Sequence, residues 1–497
     1  MMNRREFVRT AGVAAAAAAL PELSGCHTPT REARRPNIVF IMADDLGWGE
    51  LGCYGQEKIR TPNIDRMAAE GMRFTDAYAG SPVCAPSRCV LLTGYHTGHA
   101  YIRDNDEYNI TGGDIWHDLS LEGQRPILAG TVTAGTVLQQ AGYRTAAIGK
   151  WGLGGPNTTG APNAQGFDHF FGYLCQRIAH SYYPPYLWRD QQKIPLENEW
   201  VFPHQPLPPG ADPQDPASYA PYEGKEYSHD LLVAEALQFI RDNQARPFFL
   251  YLPFTIPHVA LQVPEDSVEE YEGELPDTPY VGDQGYLPNR TPHAAYAGMI
   301  TRMDRDVGRI AALIKELGLD DDTIVFFTSD NGPSWVGGVD PDFFRSRGPL
   351  RGRKAQIWEG GIRVPMVARW PGRVAAGTTS SLPVGFWDMM PTFAELAGAG
   401  APEGIDGVSI VATLLGRSGQ DVHEYLYWEF ENSVVVRMGE WMGVLPAGKD
   451  ALELYNLGTD VGETTDVAAA NPEIVAAIEG IMTSAHTDSE LFPLREG

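Results

Sequence analysis

Short, unbroken apolar runs alternate with amphipathic stretches along most of this chain. Residues 37–42, 145–148, 248–252 and 323–327 are short, mostly apolar runs that do not alternate, as expected of strands covered on both faces. Helices fit between them. Thr61-Pro62 supplies an N-cap followed by proline at the first helical position, and Gly71 closes that helix. Residues 133–140, ending before Gly142, and 228–243 read as two more. Residues 294–317 form a long one, with Met299, Met303, Val307, Ile310 and Ile314 at helical spacing. Strands alternating with helices predict an α/β sandwich with a large, mostly parallel central sheet flanked by helices. In such sheets ligands bind at the carboxyl ends of the strands. The four predicted strands run into Asp44-Asp45, Lys150, His258 (after a short Pro-rich turn) and Asp330-Asn331, so all could reach one edge.

Two Pro-rich stretches, about 154–222 and 263–292, lack periodicity and read as ordered loops over that edge. The first holds Tyr182, Tyr183, Tyr186 and Trp188. From about Gly372 the alternation weakens, so a catalytic region over 34–371 and a smaller C-terminal subdomain over 372–497 are expected. Residues 1–26 read as an export signal. Arg4-Arg5 resembles a twin-arginine signal, the apolar stretch 11–20 is too short to span a bilayer, and Leu23-Ser24-Gly25-Cys26 resembles a lipobox with Cys26 as the lipidated residue. This predicts a bacterial periplasmic or cell-envelope lipoprotein, exported by the twin-arginine machinery and touching membrane only through its anchor.

A net charge of −26 argues against nucleic-acid or anionic-membrane binding through bulk charge. An anionic substrate would need locally clustered Lys and Arg. The five cysteines (Cys26, Cys53, Cys84, Cys89 and Cys175) are too few and too irregular for a disulfide framework; one disulfide is possible, and buried free thiols are the simpler expectation.

Cys84-Ala85-Pro86-Ser87-Arg88 enters a predicted helix that ends at Gly94. Cys84 then lies near a helix N-terminus, which suits a reactive thiolate or anion recognition. Cys84-x-Pro86-Ser87-Arg88 followed by Leu91-Leu92-Thr93-Gly94 resembles the modification motif of the sulfatase family, within the alkaline-phosphatase-like superfamily. Further stretches similar to that family follow in order: Ala43-Asp44-Asp45-Leu46-Gly47 before it, then Gly142 to Trp151, Thr328 to Gly332, Lys354 with Glu359 to Pro365, Asp406-Gly407 and Glu453 to Leu457.

The resemblance implies an arylsulfatase-like enzyme that cleaves sulfate monoesters. In it, a maturase oxidises Cys84 to formylglycine, whose hydrate is the nucleophile. It assigns Asp44, Asp45, Asp330 and Asn331, with the modified Cys84, as calcium ligands; oxygen donors of this kind suit a hard cation. It gives Arg88 the role of holding residue 84, Lys150 and Lys354 that of contacting sulfate, and His258 that of aiding protonation of the leaving group. One departure stands out. Many family members have a histidine, the usual base of the last step, where this chain has Gly152. His180 is the leading replacement, with His96 and His99 as rivals. The export signal and the aromatic loop favour a carbohydrate, so the expected substrate is a sulfated carbohydrate or an aryl sulfate. A phosphonate monoester hydrolase or phosphodiesterase, or a non-catalytic carbohydrate-binding homologue, are the alternatives.

Overall fold

The four apolar runs are strands lying side by side at the centre of the protein in the computed structural model, which describes residues 35–107, 118–119 and 121–494. Arg4, Arg5 and Cys26 lie outside the described residues.

The large sheet contains eleven strands. In chain order they are β1 (Asn37–Ala43), β2 (Met72–Tyr78), β3 (Arg144–Lys150), β4 (His169–Tyr173), β5 (Tyr186–Arg189), β6 (Gln192–Pro195), β7 (Phe248–Pro253), β8 (Thr323–Ser329), β9 (Arg363–Arg369), β10 (Thr378–Ser380) and β11 (Val384–Gly385). Across the sheet they run β10-β2-β9-β8-β1-β7-β3-β4-β5-β6, with β11 also on β2. The central five, β8-β1-β7-β3-β4, are parallel, whereas β9 is antiparallel to both of its neighbours. β1 explains the absence of alternation. Ile38, Phe40 and Met42 enter one apolar layer, Val39, Ile41 and Ala43 enter the other, and none is exposed. The Cys84–Thr93 and Met389–Leu396 helices contribute to the first layer, and the Ser228–Asn243 and Pro292–Glu316 helices to the second.

The sequence expectation differs from the fold in two places. The stretch 154–222 is not all loop, because β4, β5 and β6 within it extend the sheet. Its prolines and aromatics hide strands of only four or five residues. Beyond Gly372, β10 and β11 return to the large sheet beside β2, and the Met389–Leu396 helix packs beneath it. The separate small sheet starts only at Leu426. It is an antiparallel meander of β12 (Leu426–Phe430), β13 (Ser433–Met438), β14 (Trp441–Leu445) and β15 (Glu453–Asn456). None of the four described cysteines is paired, and no described helix is long and apolar enough to cross a membrane.

Candidate active site

Parallel pairing brings the carboxyl ends of β8, β1, β7 and β3 to one edge, in that order. These ends carry Asp330-Asn331, Asp44-Asp45, the turn to His258, and Lys150. Because β9 runs the other way, its start, and the loop that carries Lys354 before it, arrive at the same edge. Cys84 opens its helix here, and Gly94 ends that helix in the left-handed conformation at φ 77°. Cys84 Sγ lies 3.5 Å from Asp44 Oδ1 and 3.4 Å from Lys150 Nζ. Burial pushes its thiol up to about 12 even though Lys150 and Lys354 pull the other way. An unmodified thiol here is therefore a poor nucleophile at neutral pH.

Asp44, Asp45, Asp330 and Asn331 are all fully buried. Burial raises the Asp45 and Asp330 carboxyl pKa, whereas for Asp44 the opposing charges of Lys150 and Arg88 outweigh burial and lower it. Donor atoms of Asp44, Asp45, Cys84 and His258 lie within 4.8 Å of one another. Asn331 donates its amide nitrogen to Asp45 Oδ1 at 2.8 Å and to the Gly332 carbonyl at 2.9 Å, which leaves its Oδ1 buried with no partner among the described residues. Three carboxylates and an orphaned carboxamide oxygen fit a hard divalent cation such as calcium.

Three cations answer these acids, Arg88 and Lys150 buried and Lys354 partly so. Arg88 donates to Asp330 Oδ2 from Nε at 3.2 Å and from Nη2 at 2.7 Å, and to the Lys150 carbonyl from Nη1. Burial opposes its charge, but Asp330 and Asp44 outweigh burial and keep it ionised. Lys150 Nζ is 2.6 Å from Asp44 Oδ2, and Lys354 Nζ is 2.8 Å from Asp45 Oδ2. Both lysines are held in the charged form because these acids overcome burial. His258 Nδ1 bonds the Val259 carbonyl, so Nδ1 carries the proton and Nε2 faces Asp45 Oδ2 at 3.6 Å. Burial, helped by Lys354 and Lys150, keeps this imidazole neutral.

His180 lines the same pocket as Cys84, Lys150, His258 and Lys354. Its ring stacks on His258 at 4.8 Å, and its Nδ1 is 3.1 Å from His204 Nε2. Burial and the neighbouring His258 lower its pKa well below the usual value. His96 and His99 point elsewhere: both face Asp406, at 3.6 and 2.9 Å, and neither lines the pocket. His96 Nδ1 already accepts from the Gly98 amide, so its other nitrogen is the protonated one and is closed to a metal.

The aromatic residues expected to stack on sugars do not face the pocket. Tyr182 is fully buried and donates to the Thr255 and His258 carbonyls, which braces the His258 turn. Tyr186 and Trp188 both donate to Glu122. The ring in the pocket wall is Tyr286, from the second irregular stretch, packed on His204 at 4.4 Å and on His180 at 5.3 Å. Tyr286, His204, Asn105 and Gln176 carry no local pattern that marks them as site residues; the return of their loops to the sheet edge brings them together.

Comparison with known proteins gives a consistent picture. The Sulfatase family model matches residues 36–399, and a model described as N-sulphoglucosamine sulphohydrolase, C-terminal, matches 353–479. The chain is 30% identical to N-acetylgalactosamine-6-sulfatase of Canis lupus familiaris, over 86% of this chain and 74% of that one. It is 32% identical to arylsulfatase A of Homo sapiens, over 90% and 87%. Among solved structures, that of Ps i-CgsB in complex with k-i-k-neocarrahexaose superposes with a TM-score of 0.73 at 26% identity, covering 91% of this chain and 93% of that one.

Proposed function

The chain belongs to the sulfatase family and is a sulfuric ester hydrolase, and we propose that it hydrolyses sulfate monoesters of carbohydrates in the pocket over Cys84. The observation that carries this reading is the meeting of Cys84, at a helix N-terminus, with the Asp44–Lys150 ion pair, whose Oδ1 and Nζ lie 3.5 and 3.4 Å from its Sγ.

A sulfate ester is anionic and repels an anionic nucleophile until its oxygens are neutralised. Lys150 and Lys354 are the groups poised to do this. Arg88 ties Asp330 to the Lys150 backbone and so fixes the acid edge against the strand that supplies the lysine. Asp44, Asp45, Asp330 and Asn331 would hold calcium, which when bound supplies Lewis-acid polarisation and favours ionisation of a neighbouring hydroxyl. Oxidation of Cys84 to formylglycine by a maturase would put a hydrated aldehyde where the thiol stands, giving a nucleophile suited to covalent catalysis. With its Nδ1 proton committed to Val259, His258 presents an acceptor nitrogen. The proton for the departing alcohol is therefore assigned to the Lys354 ammonium. His180, neutral and backed by His204, takes the place of the base missing at Gly152.

Carbohydrate substrates are supported by the names of the relatives and by Tyr286 in the pocket wall. The test is a desulfation screen of the matured enzyme over defined sulfated mono- and disaccharides, with aryl sulfates and aryl phosphodiesters in parallel. Desulfation of a sugar is the expected result. Faster phosphodiester turnover would contradict it, and binding without turnover would favour a carbohydrate-binding role. We also propose export and anchoring through Cys26. Lipid labelling of cells should mark the protein, and Cys26→Ala should release it into the soluble fraction.

A further inference from the structure

Gln176 is only 6% exposed and lines the pocket with Cys84, Lys150, His258 and Lys354. Asn105 decides which way its amide faces. Asn105 Oδ1 lies 2.9 Å from the Ala85 backbone nitrogen, which can only donate, so this atom must be the oxygen of the carboxamide. The Gln176 atom 3.2 Å from that oxygen must then be the donating nitrogen. The remaining atom, Oε1, is an acceptor, and it is buried with no partner among the described residues. Gly152 makes the room. Its φ is +81°, and a Cβ there would lie 2.7 Å from both Cγ and Cδ of Gln176. A larger residue at 152 would displace the amide.

A buried acceptor without a donor is unfavourable in the free protein, and a ligand that brings a donor relieves it. Sulfate oxygens cannot do so, because they only accept; Lys150 and Lys354 are the partners suited to them. We propose that Gln176 is a specificity-determining residue whose Oε1 accepts a hydrogen bond from a hydroxyl of the leaving group, on the carbon next to the sulfated one. This rests on the sulfate-ester reading of the pocket and narrows it to sulfates of vicinal diols, the arrangement found in sugars. The competing partner for Oε1 is a hydroxyl on residue 84 itself.

Two chromogenic esters separate these cases. 4-Nitrocatechol sulfate carries a hydroxyl ortho to the ester, and 4-nitrophenyl sulfate has none. The ratio of their kcat/KM values is measured for the matured wild-type enzyme and for Gln176→Leu. Leaving-group reactivity cancels between the two enzymes, and the fraction of folded, matured protein cancels within each. The ratio is expected to fall about tenfold or more in Gln176→Leu. An unchanged ratio overturns the proposal, whether both esters slow together, as they would if Gln176 served residue 84, or neither slows. Should the wild-type enzyme turn over neither ester, the same ratio is read on a sugar sulfate with and without the neighbouring hydroxyl; turnover of no sulfate ester of either kind would instead contradict the sulfate-ester reading beneath it.

Discussion

Asn331 spends its amide nitrogen on Asp45 and Gly332 and leaves its oxygen buried and unpaired, so its structural bonds and its candidate metal contact lie on different atoms. Asn331→Ala is expected to lower bound calcium, measured by elemental mass spectrometry, and turnover together, by about tenfold or more. Loss of turnover with calcium fully retained would contradict the ligand role. His180→Ala is expected to lower kcat by about 10²-fold and KM with it, leaving kcat/KM little changed, as loss of the base that breaks down a covalent intermediate does; an unchanged kcat would eliminate it. At this scale the sequence was most legible where chemistry is written in adjacent residues, as at Cys84-x-Pro86-Ser87-Arg88, Asp44-Asp45 and Asp330-Asn331. It was least legible where function comes from a pairing between loops. His204 is 24 residues from His180, and Asn105 is 71 residues from Gln176, and nothing near any of them in sequence marks the contact.

The central strands were legible because a strand buried on both faces carries an unbroken apolar run, and β1, β3, β7 and β8 hold such runs at 38–43, 146–148, 248–252 and 324–327. β2 was missed because its alternation holds only over Met72 to Thr75, breaks at Asp76-Ala77 where the pairing with β9 shifts register, and includes charge; its place beside β9 is a long-range pairing that no local pattern encodes. The segment after β15 also reaches back into the core. Glu463, 1% exposed, accepts from the Glu359 backbone nitrogen at 3.0 Å, at the start of the short helix that leads into β9. Its other oxygen has no partner among the described residues. Burial and the nearby Glu359 carboxylate push Glu463 up to about 9, from an ordinary value of 4.5. Between these values the folded chain holds a proton that the unfolded chain has released. Stability from this group therefore falls as pH rises through the window, and the proton is gone above it. Glu463→Gln, neutral at every pH, is expected to flatten the decline of Tm between about pH 5 and 9. Parallel Tm curves for variant and wild type would show that Glu463 is not protonated in the fold.

The molecule as a whole carries a charge of −26, yet Arg88, Lys150 and Lys354 gather at the one edge where an anionic substrate must bind. The long-range field repels a polysulfated chain, and the local field holds a single sulfate. Salt screens the first more than the second. For a polysulfated oligosaccharide kcat/KM should therefore rise a few-fold between about 10 and 150 mM salt, and rise less for a monosulfated aryl ester. A fall for the oligosaccharide would mean that the local cations also govern the approach. The central claim concerns residue 84: oxidised beside the acid edge, it is the nucleophile. Its most direct test is mass spectrometry of the peptide that contains residue 84, made from enzyme matured to different extents, with turnover measured on the same samples. The modified peptide should be about 18 Da lighter and should react with a hydrazide probe. Turnover should rise in proportion to that fraction and vanish in Cys84→Ala. Full turnover from protein whose Cys84 is wholly unmodified would contradict the account.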